Sequence, residues 1–232
     1  YAKIIENENN FELHKADYLD KDQSYVLHML SSSTLEHVMF PLGTISKPEV
    51  RQIAADLGLK TAFKKDSQDI CFVGKKNYRN FVDKRIDIST SGDIVDRDGS
   101  TMGQHQGVHE FTVGQRKGIP GGQGEPKYVT KIDVRNKKVF VGDKKDLLTS
   151  SFYLEDVSFV NGIENENLTI QTRYNSEDLP CEIKMITKNT LEVSLLEPTY
   201  GVAPGQFGVI YNGTNLIGGG RITSKLNETL PV

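Results

Sequence analysis

The residue with the most chemical scope in this 232-residue chain is Cys71. It stands between the polar run Lys64-Lys65-Asp66-Ser67-Gln68-Asp69 and the apolar pair Phe72-Val73, with Lys75 and Lys76 just beyond. The thiolate is the reactive form of cysteine, and nearby cations favour it. Lys64 and Lys65 are therefore candidates to stabilise a nucleophilic sulfur. A cysteine inside an apolar tetrapeptide also suits simple packing as a small hydrophobe, so the pattern alone leaves both roles open. Cys181 follows Pro180 inside an expected strand and has no adjacent basic residue, which reads as packing. The two cysteines form no CxxC pair and meet no clustered histidines. That argues against a zinc site and against a disulfide-built secreted fold.

Two further segments could bind a polyanion. Gly103-Gln104-His105-Gln106-Gly107 and Gly114-Gln115-Arg116-Lys117-Gly118 are dense in glycine and hydrogen-bond donors. Glycine lets backbone N–H groups approach a phosphate, and Arg116 and Lys117 can neutralise it. The spacing is neither that of a phosphate-binding loop nor that of a dinucleotide fingerprint, and glycine-bounded turns also serve purely structural ends. His105 and His109, four apart, are by themselves poor evidence for a metal site. The net charge of −3 conceals an uneven distribution. Residues 60–85 hold eight Lys/Arg against three Asp/Glu, while residues 151–232 hold five against ten. A mildly acidic protein with one basic stretch can still bind a polyanion there, although a solvated lysine-rich loop looks the same in sequence.

The elements that must position these residues read as follows. The first 60 residues carry a helical pattern, with Tyr25, Val26, Met29 and Leu30 as one apolar stripe. Ser46-Lys47-Pro48-Glu49 is a capping box, and Val50, Ile53, Ala54 and Leu57 form the expected buried face of the helix that follows. Gly58 should end it. From Gly92 the pattern is β, with hairpin turns at Asp98-Gly99 and Asn136-Lys137. Six strands are expected at 152–160, 168–174, 181–186, 191–196, 207–211 and 216–222, which suggests a small closed barrel. The fold class is α+β but mostly β. The expected parts are residues 1–75, the helical end of an α/β domain; residues 76–147, a small central β-containing domain; and residues 148–232, a six-stranded antiparallel barrel. No apolar run approaches the roughly 20 residues of a membrane span, and no signal peptide is visible, so a cytoplasmic protein without a membrane partner is expected.

Several motifs occur in a telling order. They are Lys21-Asp22-Gln23-Ser24-Tyr25, Phe40-Pro41-Leu42-Gly43, the stretch Lys64 to Phe72 around Cys71, Gly103 to Gly107 and Thr112 to Gly118. Arg173-Tyr174, Pro204-Gly205-Gln206 and Gly218-Gly219-Gly220 follow. Together they resemble the bacterial tRNA-specific 2-thiouridylases, over about residues 1–224. The resemblance implies an adenylating domain of PP-loop type, a central domain and a β-barrel. It implies that ATP with Mg²⁺ activates C2 of the wobble uridine as an adenylate. A persulfide on Cys71, loaded by a sulfur-relay protein, then supplies the sulfur, and a second cysteine resolves the product, as a disulfide. It further implies that Lys21, Asp22, Gln23, Arg173, Tyr174 and Gln206 contact tRNA; Arg116 and Lys117 join them on chemistry alone. The family's Ser/Gly-rich pyrophosphate loop and first catalytic cysteine would lie upstream of Tyr1, and neither motif occurs here. The chain as given is thus expected not to bind ATP in the family's manner and to be inactive alone. The alternative is a non-catalytic tRNA-binding fragment, which needs no reactive Cys71.

Overall fold

A computed structural model describes residues 1–7, 10–64, 91–120, 126–163 and 166–223. The chain gathers into two compact units. One joins Tyr1–Lys64 to Thr149–Val232, and the other is Lys65–Leu148.

The first unit is built on a closed barrel. Its strands are β7 (Thr149–Phe159), β8 (Leu168–Gln171), β9 (Leu179–Thr187), β10 (Thr190–Thr199), β11 (Phe207–Asn212) and β12 (Asn215–Thr223). They run in the order β12-β11-β8-β9-β10-β7, and pairing of β12 with β7 closes the ring, giving the expected six antiparallel strands. Alternating residues fill the interior: Phe152 and Leu154, Leu168 and Ile170, Leu191 and Val193, Ile210 and Ile222. Cys181 lies in that core, and burial pushes its thiol up to about 12, so it packs as a hydrophobe.

The barrel carries an addition that the helical reading of residues 1–60 missed. Strands β1 (Ala2–Asn7) and β2 (Asn10–Lys15) form an antiparallel hairpin, and β2 pairs with β12 through His14–Asn215 and Leu13–Leu216. The hairpin covers a second core outside the barrel wall, made of Ala2, Leu13, Tyr25, Leu35, Val209, Tyr211 and Leu216. Strand β12 therefore has neighbours on three strands, β2, β7 and β11. Gly218, Gly219 and Gly220 make that possible. A Cβ on them would stand 2.3 Å from the Ser158 carbonyl, 2.8 Å from the Gly208 carbonyl and 2.7 Å from the Glu155 carbonyl respectively. The expected stripe on Tyr25 to Leu30 is corrected as well. Residues Ser24–Leu27 form a 3₁₀ turn, where 3.6-residue spacing does not apply, so Tyr25 is buried while Val26 and Met29 are exposed.

Two short helices complete this unit: α1 (Ser32–Leu35) and α2 (Lys47–Asp56). The capping box forms as expected, with Ser46 Oγ accepting from Glu49 N and Glu49 accepting from Ser46 N at 2.9 Å. The expected buried face does not form. Among the described residues nothing of α2 is buried, with Ile53 46% and Leu57 70% exposed. Helical amphipathicity reports a face that favours an apolar neighbour, and it cannot supply one.

The second unit holds a four-stranded sheet among its described residues: β3 (Gly92–Val95), β4 (Thr101–His105), β5 (Tyr128–Asp133) and β6 (Lys138–Gly142), in the order β4-β3-β6-β5. Both expected hairpins form, and β3 and β6 run parallel to join them. Ile94, Val108, Val129, Val139 and Val141 make its core.

Candidate nucleic-acid interface

Within the first unit, three of the motif segments converge on Tyr25. The Tyr25 hydroxyl donates to the Phe207 carbonyl at 2.8 Å, which fixes the Pro204-Gly205-Gln206 turn beside it. The Tyr174 ring meets Tyr25 edge to face at 6.2 Å, and its hydroxyl donates to the Asp22 carbonyl at 3.1 Å. Burial pushes the Tyr25 phenol up to about 12, so it remains a donor throughout the neutral range. Lys21, Asp22 and Gln23 thus stand beside Tyr174, although the two segments are some 150 residues apart in sequence.

The individual roles differ. Asp22 is buried, and its carboxylate accepts from Ala16 N at 2.8 Å, Ser24 Oγ at 2.6 Å and Ser24 N at 3.3 Å. Those bonds hold the turn together and point the carboxylate inward. Gln23, Arg173, Tyr174 and Gln206 are exposed, and Lys21 is half-buried. Arg173 and Tyr174 open the turn after β8, whose reversal uses Asn175 at a φ of 56°.

Sequence reasoning passed over the polar network beneath these residues. Lys15 is only 5% exposed, and its Nζ lies 2.6 Å from both carboxylate oxygens of Asp178. The ammonium also sits 4.1 Å above the Tyr211 ring, and Gln171 Nε2 donates to Asp178 at 2.9 Å. Tyr211 in turn lies 3.1 Å from Ser24 Oγ, so the chain Lys15–Tyr211–Ser24–Asp22 ties β2 to the turn under Tyr174. The available signal was parity: Leu13 and Lys15 share one face of β2, and that face is buried.

In the second unit, Gly114 and Gly118 adopt φ values of +88° and +78°, and the loop between them presents Arg116 and Lys117 to solvent. Gln115 braces it. Its backbone carbonyl accepts from Val129 N, its Oε1 accepts from Thr112 N, and its Nε2 donates to the Lys117 carbonyl at 2.9 Å. His105 is buried at the end of β4, with Nε2 donating to the Lys137 carbonyl at 3.1 Å and its ring against Phe111. Its visible role is to pack and brace. Among the described residues no group of three His, Cys, Asp or Glu could hold a metal ion.

Cys71 and Lys65 lie outside the described residues. Lys64 is exposed, and its carbonyl accepts from Arg51 Nη2 at 3.4 Å. Charge follows the two units. Residues 65–148 carry 16 Lys/Arg against 12 Asp/Glu, and the remainder carries 12 against 19. Among the described residues no helix is long and apolar enough to cross a membrane.

Comparison with known proteins adds three family matches in chain order. Residues 1–75 match the tRNA methyl transferase HUP domain, residues 79–143 the tRNA methyl transferase PRC-barrel domain, and residues 149–222 the aminomethyltransferase beta-barrel domain. A tRNA-specific 2-thiouridylase of Herpetosiphon aurantiacus is 40% identical over 220 residues, covering 94% of this chain and 62% of that protein. The corresponding protein of Geobacter metallireducens is 39% identical, covering 98% of this chain and 63% of its own length. That of Rickettsia typhi is 40% identical, covering 97% and 64%. The chain therefore spans less than two thirds of the length of these relatives.

Proposed function

Given that the chain belongs to the tRNA-specific 2-thiouridylase family, we propose that it is the sulfur-carrying and tRNA-holding portion of an enzyme that thiolates C2 of a wobble uridine. The chemistry proposed is sulfur transfer through an adenylated intermediate, with a persulfide on Cys71 loaded by a sulfur-relay protein. Residues 1–75 would carry the cysteine loop, residues 76–147 a tRNA-binding domain and residues 148–232 the barrel. The observation that carries the reading is the convergence of Lys21–Gln23, Tyr174 and Gln206 around Tyr25, within a chain 40% identical to 2-thiouridylases.

The surface groups fit RNA by type. Arg173 can fork onto a phosphate, and the exposed Tyr174 ring can stack on an unpaired base. Arg116 and Lys117 present two cations on a braced loop in the more basic unit. Asp22 serves this surface by shaping its turn and not by offering its carboxylate. The adenylation would draw on ATP with Mg²⁺. The sequence carries no phosphate-binding loop, and the described residues gather no metal-ligand set, so no step is assigned to them with that cofactor.

The test is direct. In an enzyme of the relatives' full length, Cys71→Ser should abolish 2-thiouridine, measured by mass spectrometry of digested tRNA, while tRNA binding stays near that of the unsubstituted protein. Thiolation at an ordinary rate in that variant would overturn the assignment of Cys71. It would favour the reading in which this portion only holds tRNA.

A further inference from the structure

The Leu19–Asp22 segment and the Arg173–Asp178 turn face each other across a cleft of about 380 Å³. That falls in the range of small-ligand pockets, which begin at roughly 300 Å³. The walls are held from both sides. The Lys15–Asp178 pair joins the base of the Arg173–Asp178 wall to β2, and the Tyr174 hydroxyl bridges that wall to the Asp22 carbonyl of the other.

The lining is ordered by chemistry. Arg173 lies outside the cleft and is exposed. Tyr174, 45% exposed, forms part of the wall. Asp20, Glu177 and Asp178 are among the residues that line the cleft, so the lining is rich in acceptors. The cation of the lining is Lys15, and Asp178 and the Tyr211 face already engage it. A phosphate entering the cleft would meet carboxylates without a compensating cation and would be repelled. A neutral ring carrying N–H donors would meet acceptors and an aromatic face. A cation outside the cleft, with an aromatic ring and acceptors along its lining, suits a phosphate held outside and a base held within.

We propose that this cleft is a pocket for one unpaired nucleobase, stacked on Tyr174 with its N–H edge on Glu177 and Asp20, while Arg173 holds the adjoining phosphate outside. The inference rests on the RNA-binding reading above and deepens it. Guanine is the best-matched base. Its pairing edge sets an imino and an amino N–H side by side, an arrangement that one carboxylate accepts in two bonds.

Fluorescein-labelled RNA trinucleotides UGU and UUU, titrated by anisotropy into the whole chain, test it, with filter binding of intact tRNA alongside. UGU should bind about ten-fold more tightly than UUU, from charge-assisted bonds to the base edge. Tyr174→Ala should weaken UGU about ten-fold, and Tyr174→Phe should retain most of the affinity, because the ring does the stacking. Glu177→Gln, at an exposed position where folding is not at risk, should erase the preference for UGU over UUU. Equal binding of the two trinucleotides by the unsubstituted chain would overturn the pocket. So would unchanged UGU and tRNA binding in both Tyr174→Ala and Glu177→Gln; the RNA would then lie on another surface and the proposed function would survive. Saturable spermidine binding lost in Glu177→Gln would mark a cation site and overturn it too. Absence of tRNA binding by the unsubstituted chain would sink the pocket and the functional reading together.

Discussion

Lys15 and Asp178 are not equivalent partners. The lysine is almost wholly buried, while the aspartate side chain is 40% exposed. Removing the anion leaves a buried cation without its ion-pair partner; removing the cation leaves a carboxylate that water can reach. Asp178→Asn should therefore cost more, about 2–3 kcal/mol, than Lys15→Met, which keeps the aliphatic stem and should cost about 1 kcal/mol or less. Urea unfolding of the two variants measures the difference, and the reverse order would show that the pair is stabilised by something other than burial. Cys181 gives a second asymmetry. Cys181→Ser should leave any sulfur chemistry untouched, yet it places a hydroxyl in the barrel core and should lower stability by roughly 1–3 kcal/mol in the same assay. At this scale the sequence marks which residues cluster in motifs, and not which way they face. Asp22 sits in a charged, surface-like tripeptide, and only the Ala16 and Ser24 donors reveal that its carboxylate turns inward.

Among the elements, barrel strands such as β8 and β10 were the easiest to read, because buried and more exposed residues alternate along them, whereas β11 and β12 are buried on both faces. The β1–β2 hairpin was not legible. The run Glu6-Asn7-Glu8-Asn9-Asn10 puts polar residues at both parities and hides the alternation on either side. Its buried Lys15 also breaks the rule that charged positions face solvent. Helix α2 shows the opposite failure, since its caps and period were correct and its burial was not. The packing of β12 yields a pH prediction. His28 lies against Phe207 and against the position where Gly219 would carry a Cβ, and its Nδ1 donates to the Tyr25 carbonyl. Burial lowers its pKa from 6.5, outweighing the hydrogen bond that raises it. The unfolded chain then binds a proton that the folded chain resists. Stability should fall as pH drops through 6.5 and level off below the folded-state pKa, at a slope of at most about 1.4 kcal/mol per pH unit. Chemical denaturation from pH 7.5 to 5 reads this directly; His28→Gln should flatten the part of the curve due to this ring, and an unchanged curve would remove His28 as its cause.

For the whole molecule, charge separates along the two units, which the net value of −3 conceals. Phosphates sense local charge within a Debye length of about 8 Å at physiological salt, so an acidic total does not prevent tRNA binding. If about four of Lys21, Lys64, Lys65, Arg116, Lys117 and Arg173 meet phosphates, the log–log salt slope should be near −3 to −4. Arg173→Ala should reduce its magnitude by about one and cost roughly 1–2 kcal/mol. A substitution at Lys188, in the β9–β10 turn, should do neither. Equal losses at Lys188 and Arg173 in a filter-binding series would place the RNA elsewhere.

The pairing of β2 with β12 has a consequence in time. The first unit is discontinuous: its opening hairpin finds its neighbour strand only some 200 residues later, whereas the second unit is one uninterrupted stretch. Contacts between distant parts of a chain form slowly, and domains tend to fold as soon as their own residues are available. During synthesis the second unit can therefore mature while the β1–β2 hairpin waits for β12 to emerge. Until β12 emerges, the apolar faces of Leu13 and Tyr25 lack the Val209, Tyr211 and Leu216 surface that buries them. A nascent chain halted before residue 215 would hold a finished second unit beside an unpaired β1–β2 hairpin, and there its risk of misassociation would be greatest.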